Sequence, residues 1–147
     1  MSTNIERGVW IGTSVFAMAS VLAVVVEALR PTSAVIDLAL FAMGCLAFAA
    51  AYLRAVARSR TEEIGVASLF FLTGGVAPVR VQRSFMAALA TQVVVAFAAA
   101  SLRPFTPLAF GVLVPVFGLG SAGLWGARFA VFASRPEVRG RAPRPGR

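Results

Sequence analysis

The sequence has no histidine and no lysine, one cysteine, one tyrosine and six acidic residues in 147. Without histidine, and without paired carboxylates at the centre of any apolar run, no acid–base pair, activated nucleophile or metal-ligand set is legible. An enzyme is therefore not expected, nor a cofactor. The lone Cys45 lies inside an apolar run, which excludes an intramolecular disulfide and a cysteine-based metal site. Charge is scarce over long distances as well: apolar stretches near 9–29, 34–53, 84–102 and 107–127, in which Glu27 and Asp37 are the charged residues, each approach or exceed the length that crosses a bilayer.

What is present agrees with that scarcity. Hydrophobic residues make up 59% of the chain and the mean hydropathy is +0.82, above the apolar share of ordinary soluble domains. Peptide groups inside lipid must satisfy one another, so each run is expected to be a helix. The alternation of a membrane barrel strand is absent. The sequence predicts an all-α integral membrane protein with four transmembrane helices in two hairpins, spanning residues 1–132. The first run has a small-residue site at Ala17-Met18-Ala19, but its apolar core continues beyond it, so it reads as an uncleaved span rather than a signal peptide.

All 14 basic residues are arginine, and their placement predicts orientation. With four spans, Arg7, Arg54, Arg58, Arg60, Arg80, Arg83, Arg128 and the tail arginines fall on one side, and only Arg30 and Arg103 on the other. Basic residues in short loops are retained in the cytoplasm, so both termini are expected there. Trp10, Tyr52 and Trp125 fall at the cytoplasmic ends of spans, as interfacial aromatics do. A fifth apolar stretch, residues 64–79, would invert this balance if it crossed. It is short and holds Gly74, Gly75 and Pro78. The reading is an interfacial or re-entrant helix near 62–72, capped by Thr61 with Glu62 and Glu63 in its first turn. Leu69, Phe70 and Leu72 would face lipid or the bundle.

The step Leu-Arg-Pro occurs twice, at 29–31 and 102–104. Each is expected to end one helix, with Ser33 and Thr106 as caps for the next and Pro107 in the first turn of the fourth span. Tandem duplication of one helical pair and convergent turn chemistry both account for the repetition. Glu27 and Asp37 flank only the first step; in that register they align with Ala100 and Phe110. A pair between Glu27 and Arg30, with Asp37 stabilised by the helix dipole, is one reading. A proton or cation site formed by Glu27, Arg30 and Asp37 is the other, since intramembrane acids are functional candidates.

Thr91 and Gln92 are the deepest polar residues, with Gln92 expected to tie helices together or touch a substrate. Gly118, Ala122 and Gly126 share one face of the fourth span, suited to close packing or to docking on a partner. Pro115 is expected to kink that helix. Residues 133–147 are rich in Arg, Pro and Gly and read as a disordered tail. There Arg135, Arg139, Arg141, Arg144 and Arg147 would meet anionic lipid headgroups or an acidic partner. Nucleic acid is not expected, because topology accounts for the charge.

With these elements placed, "RSRTEEIGVASLFFLTGG" and "RPFTPLAFGVLVPVFGLGSAGLWGAR" resemble segments of small conserved actinobacterial multi-pass transmembrane proteins. The resemblance covers most of residues 54–128. It implies a membrane location and brings no activity with it. The small multidrug transporters are similar in length, but their essential mid-membrane glutamate would fall where this chain has Ala17, Met18 and Ala19. The expected function is a non-catalytic accessory or scaffolding subunit, docking on a membrane-protein partner or on further copies of itself. The alternative is a small transporter or channel for a cation or small solute.

Overall fold

The computed structural model describes residues 2–135 and carries four helical segments long and apolar enough to cross a membrane. Helix α1 covers Ser2–Val25 and α2 covers Arg30–Arg58. A short helix α3, Val66–Phe70, is followed by α4, Val79–Leu102. The last segment runs as a 3-10 turn over Pro107–Leu113 and then as α5, Pro115–Phe129. Strand β1, Glu62–Glu63, pairs antiparallel with β2, Ala133–Ser134. The Arg-rich side predicted from sequence is one end of this bundle, and the two Leu-Arg-Pro steps occupy the other.

Helix α4 lies against α1 on one side and against the 107–113 turn on the other, while α1 and α2 touch less; the most extensive pairing is that of α2 with α5. The cause is side-chain size. At Gly44 of α2 a Cβ would sit 2.5 Å from the Phe117 backbone nitrogen, so only hydrogen lets α2 and α5 approach this closely. Helix α5 answers with a run of small residues, and Gly118, Gly120, Ser121, Ala122, Gly123 and Gly126 are all buried. A helix apolar on every side is an interior helix. In the last segment, Pro107–Phe129, 56% of the most apolar stretch is enclosed, against 28–33% in the other three.

Several boundaries differ from the sequence reading, for identifiable reasons. Helix α1 begins seven residues earlier and stops at Val25 rather than 29, because Val26 is extended. After a 3-10 turn over Glu27–Leu29, Arg30 and Pro31 open α2 instead of closing α1. Pro is accepted there because the first-turn N–H it lacks would have no helical partner. Ser33 consequently lies inside the helix, and no side-chain cap bond is present at Leu29. At the second corner Arg103 does end a helix, as expected. The Thr106 hydroxyl, however, donates to the Arg103 carbonyl at 2.7 Å rather than capping the next turn. Pro115 does not bend a continuous α-helix; it starts one, after a stretch bonded i to i−3, with Val114 N–H donating to Gly111 and Phe117 N–H to Val114.

The expected 62–72 helix is reduced to five residues. Glu62 and Glu63 are taken into the strand pair, and the Thr61 hydroxyl donates to the Arg58 carbonyl instead of capping. Leu69, Phe70 and Leu72 are buried in the bundle core, and Phe70 stacks on Phe48 with ring centroids 4.4 Å apart. Gly74 and Gly75 adopt φ of +78° and +73°, the left-handed geometry that turns the chain toward α4.

The stretch expected to lack structure from 133 starts with β2, and Arg135 N–H donates to the Thr61 carbonyl at 2.9 Å. Arg58 locks the same end. Its guanidinium donates to the Ala127 carbonyl at 3.0 Å and the Ala130 carbonyl at 3.1 Å, pairs with Glu62 at 2.7 Å and lies over the Phe132 ring. An arginine of α2 thus satisfies carbonyls that the end of α5 leaves open. Trp125 is likewise not interfacial: it is buried against Phe85 and Phe129. Trp10 and Tyr52 are exposed.

Candidate proton or cation site

One face of α2 carries the polar residues that the first corner feeds into the bundle. Arg30, Ser33 and Asp37 stand three and four residues apart, which places them in a line rising roughly 10 Å along the helix. Arg30 begins it at the corner, where its Nη1 donates to Glu27 Oε1 at 2.9 Å. Glu27 is 83% exposed and the Arg30 side chain 15%, so the acid is at the surface and the base is tucked against the helix. The expected pair is present, and it is a surface pair.

Asp37 is different. It is 0% exposed, and neither carboxylate oxygen has a hydrogen-bond partner among the described residues. The Ser33 hydroxyl, one turn nearer the corner, is also buried without a partner among them. Facing them is the 3-10 stretch at Gly111: a Cβ there would lie 3.6 Å from Asp37 Oδ2 and 3.3 Å from the Phe16 ring. Asp37 is therefore enclosed by α1, α2 and the 107–113 turn. Beyond it on the same face comes Leu40, which packs in an apolar cluster with Phe16, Ala96, Val114 and Phe117. The polar line ends at the carboxylate.

Of the three residues Glu27, Arg30 and Asp37, the first two pair at the corner, and Asp37 lies further along the same face beyond Ser33. Asp37 does not sit in the first helical turn, where the dipole was expected to hold it. The helix starts at Arg30 rather than 34, so Asp37 is two turns in, beyond the reach of the terminal dipole. An ionised carboxylate enclosed without a partner costs several kcal/mol, and a proton or a cation on it removes that cost.

A second polar feature lies in α4. Gln92 is 0% exposed and its Nε2 donates to the Thr13 hydroxyl at 2.7 Å; Thr13 in turn donates to the Val9 carbonyl at 2.8 Å. This bond joins α4 to α1, as interhelical glue should. Gln92 Oε1 has no donor among the described residues and abuts Gly118, where a Cβ would stand 2.5 Å from it. Thr91 only bonds back to the Ala87 carbonyl. Gly118, Ala122 and Gly126 face inward: Gly118 meets Gln92, Ala122 lies in the core and Gly126 meets Leu69 and Leu72. The small-residue face packs within the bundle. Arg135 is exposed, while Arg139, Arg141, Arg144 and Arg147 lie outside the described residues. Sequence reasoning missed Ser33 as a companion of Asp37, for which the spacing of one helical turn was the available signal.

Comparisons with protein-family profiles, with curated proteins and with solved structures find no match.

Proposed function

We propose that this chain is a non-catalytic integral protein of a bacterial plasma membrane, with both termini in the cytoplasm, that binds a proton at Asp37 and works as a small proton-linked transporter or channel. One observation carries the reading: a carboxylate in an apolar helix with no exposure and, among the described residues, no partner on either oxygen. Such groups are rare in membrane helices and mark proton relays and ion paths. A proton fits better than a hard cation. Asp37 and Ser33 together offer three side-chain oxygens, and Ca²⁺ or Mg²⁺ takes six or more. With the termini inside, Arg30 and Ser33 lead to Asp37 from the outer face.

Reconstitution into liposomes with an internal pH dye tests this. Wild type dissipates an imposed pH gradient, alone or with a co-transported solute, and Asp37→Asn does not. Equal rates for both chains would overturn the proposal.

The accessory-subunit reading has an observation of its own. Arg54, Arg60, Arg80, Arg83, Arg128 and Arg135 are all exposed at the end that carries the β1–β2 pair, an arrangement suited to an acidic partner. Purification in mild detergent with native mass measurement separates the two. A stoichiometric partner favours the subunit; the chain alone or as a homo-oligomer favours the transporter. The bacterial assignment rests on the likeness to small actinobacterial membrane proteins, which favours neither role.

A further inference from the structure

At the arginine-bearing end, α1 and α4 part to leave a cleft of about 420 Å³ lined by Thr3, Glu6, Arg7, Trp10, Ile11 and Arg80. Its chemistry differs from the other grooves on the bundle, whose linings are almost wholly apolar. Two guanidinium groups from different helices converge here with one carboxylate. Neither arginine has an ion-pair or hydrogen-bond partner among the described residues. Trp10 is held in place because its indole N–H donates to the Ser84 hydroxyl at 3.0 Å, pinning the ring of α1 to α4. Ile11, 65% exposed, lines the same cleft one residue further along α1 toward the apolar middle of the bundle.

The geometry points to a binding site for one anionic glycerophospholipid, with its phosphate held by Arg7 and Arg80, a headgroup hydroxyl donating to Glu6, and an acyl chain descending past Ile11. Three features select this occupant. Arginine presents a donor fork matched to phosphate oxygens. Two arginines against one glutamate leave a single positive charge, which balances a head of net charge −1 and not a zwitterionic one. A fixed tryptophan beside an exposed aliphatic residue matches the headgroup level, where amphipathic rings settle. The site is independent of Asp37, and of the tail arginines expected to meet lipid.

Native mass spectrometry of the full chain in mild detergent, titrated with phosphatidylglycerol, phosphatidylethanolamine or phosphatidylcholine, tests this without any variant. One phosphatidylglycerol is expected to remain bound at least fivefold more strongly than either zwitterionic lipid. Equal retention of the three lipids overturns the proposal. Arg7→Gln with Arg80→Gln, both at exposed positions, is expected to abolish the preference, while Arg54→Gln with Arg60→Gln removes the same charge from the same end and keeps it. If the second pair lowers retention as much as the first, diffuse surface charge accounts for the binding and the site is refuted. Glu6→Gln is expected to narrow the preference for phosphatidylglycerol over phosphatidic acid; an unchanged ratio removes Glu6 from the site.

Discussion

The two Leu-Arg-Pro corners share three letters and do opposite work. At the first, Arg30 and Pro31 begin α2, and the polar residues that follow turn inward to end at Asp37. At the second, Arg103 closes α4, Pro104 and Phe105 lie in an exposed turn, and a 3-10 stretch opens from Thr106. Phe105 takes a φ of 59° there, a conformation the first corner does not need. Phe110, the residue in register with Asp37, is 46% exposed toward the surroundings of the bundle. An arginine–proline pair thus fixes that the chain turns, but not which helix owns it. The second corner also supports the first: Arg103 Nε donates to the Val24 carbonyl at 3.2 Å, at the point where α1 stops.

The comparison can be broken at unequal cost. The largest effect is expected from Gly44→Val, which pushes α2 off Phe117 and so opens the enclosure that the 107–113 turn forms over Asp37. Overpacking of this kind costs about 1–3 kcal/mol, and thermal unfolding in detergent should show a drop of several degrees. Next comes Arg103→Gln. It removes a charged donor from the Val24 carbonyl, and the loss is expected near 1 kcal/mol because the bond is exposed to water or headgroups. Hydrogen exchange at the end of α1 would report it. Smallest is Arg30→Gln, which breaks a pair whose acid is almost fully exposed; the change is expected below about 0.5 kcal/mol. If Arg30→Gln proved as damaging as Arg103→Gln, the two corners would be mechanically alike and the contrast drawn between them would fail.

Much of the architecture was legible because it depends on length and polarity alone. The four apolar runs, the Glu27–Arg30 pair and the interior role of Gln92 follow from spacing and desolvation, with no knowledge of neighbours. Asp37 was misplaced by a boundary: with α2 started at 34 it belongs to a polar first turn, and with α2 started at Arg30 it belongs to the core. Four residues of helix decide whether that acid is a cap or a site. Gly118, Ala122 and Gly126 make one stripe by spacing alone, and Gly120, Ser121 and Gly123 fill the sides between; that density is the available sign of a helix enclosed all round. The roles of Arg58 and Gly44 had no local signal. The first depends on carbonyls about seventy residues away, and the second on where the backbone of α5 passes.

The central claim is that Asp37 is an enclosed acid that holds a proton. Difference infrared spectroscopy of the protein in lipid, in H₂O and in D₂O, tests it most directly. The account predicts a protonated-carboxyl C=O band near neutral pH that shifts in D₂O and is missing from Asp37→Asn while the Glu27→Gln spectrum keeps it. A wild-type spectrum without that band, or one unchanged in Asp37→Asn, would contradict the account.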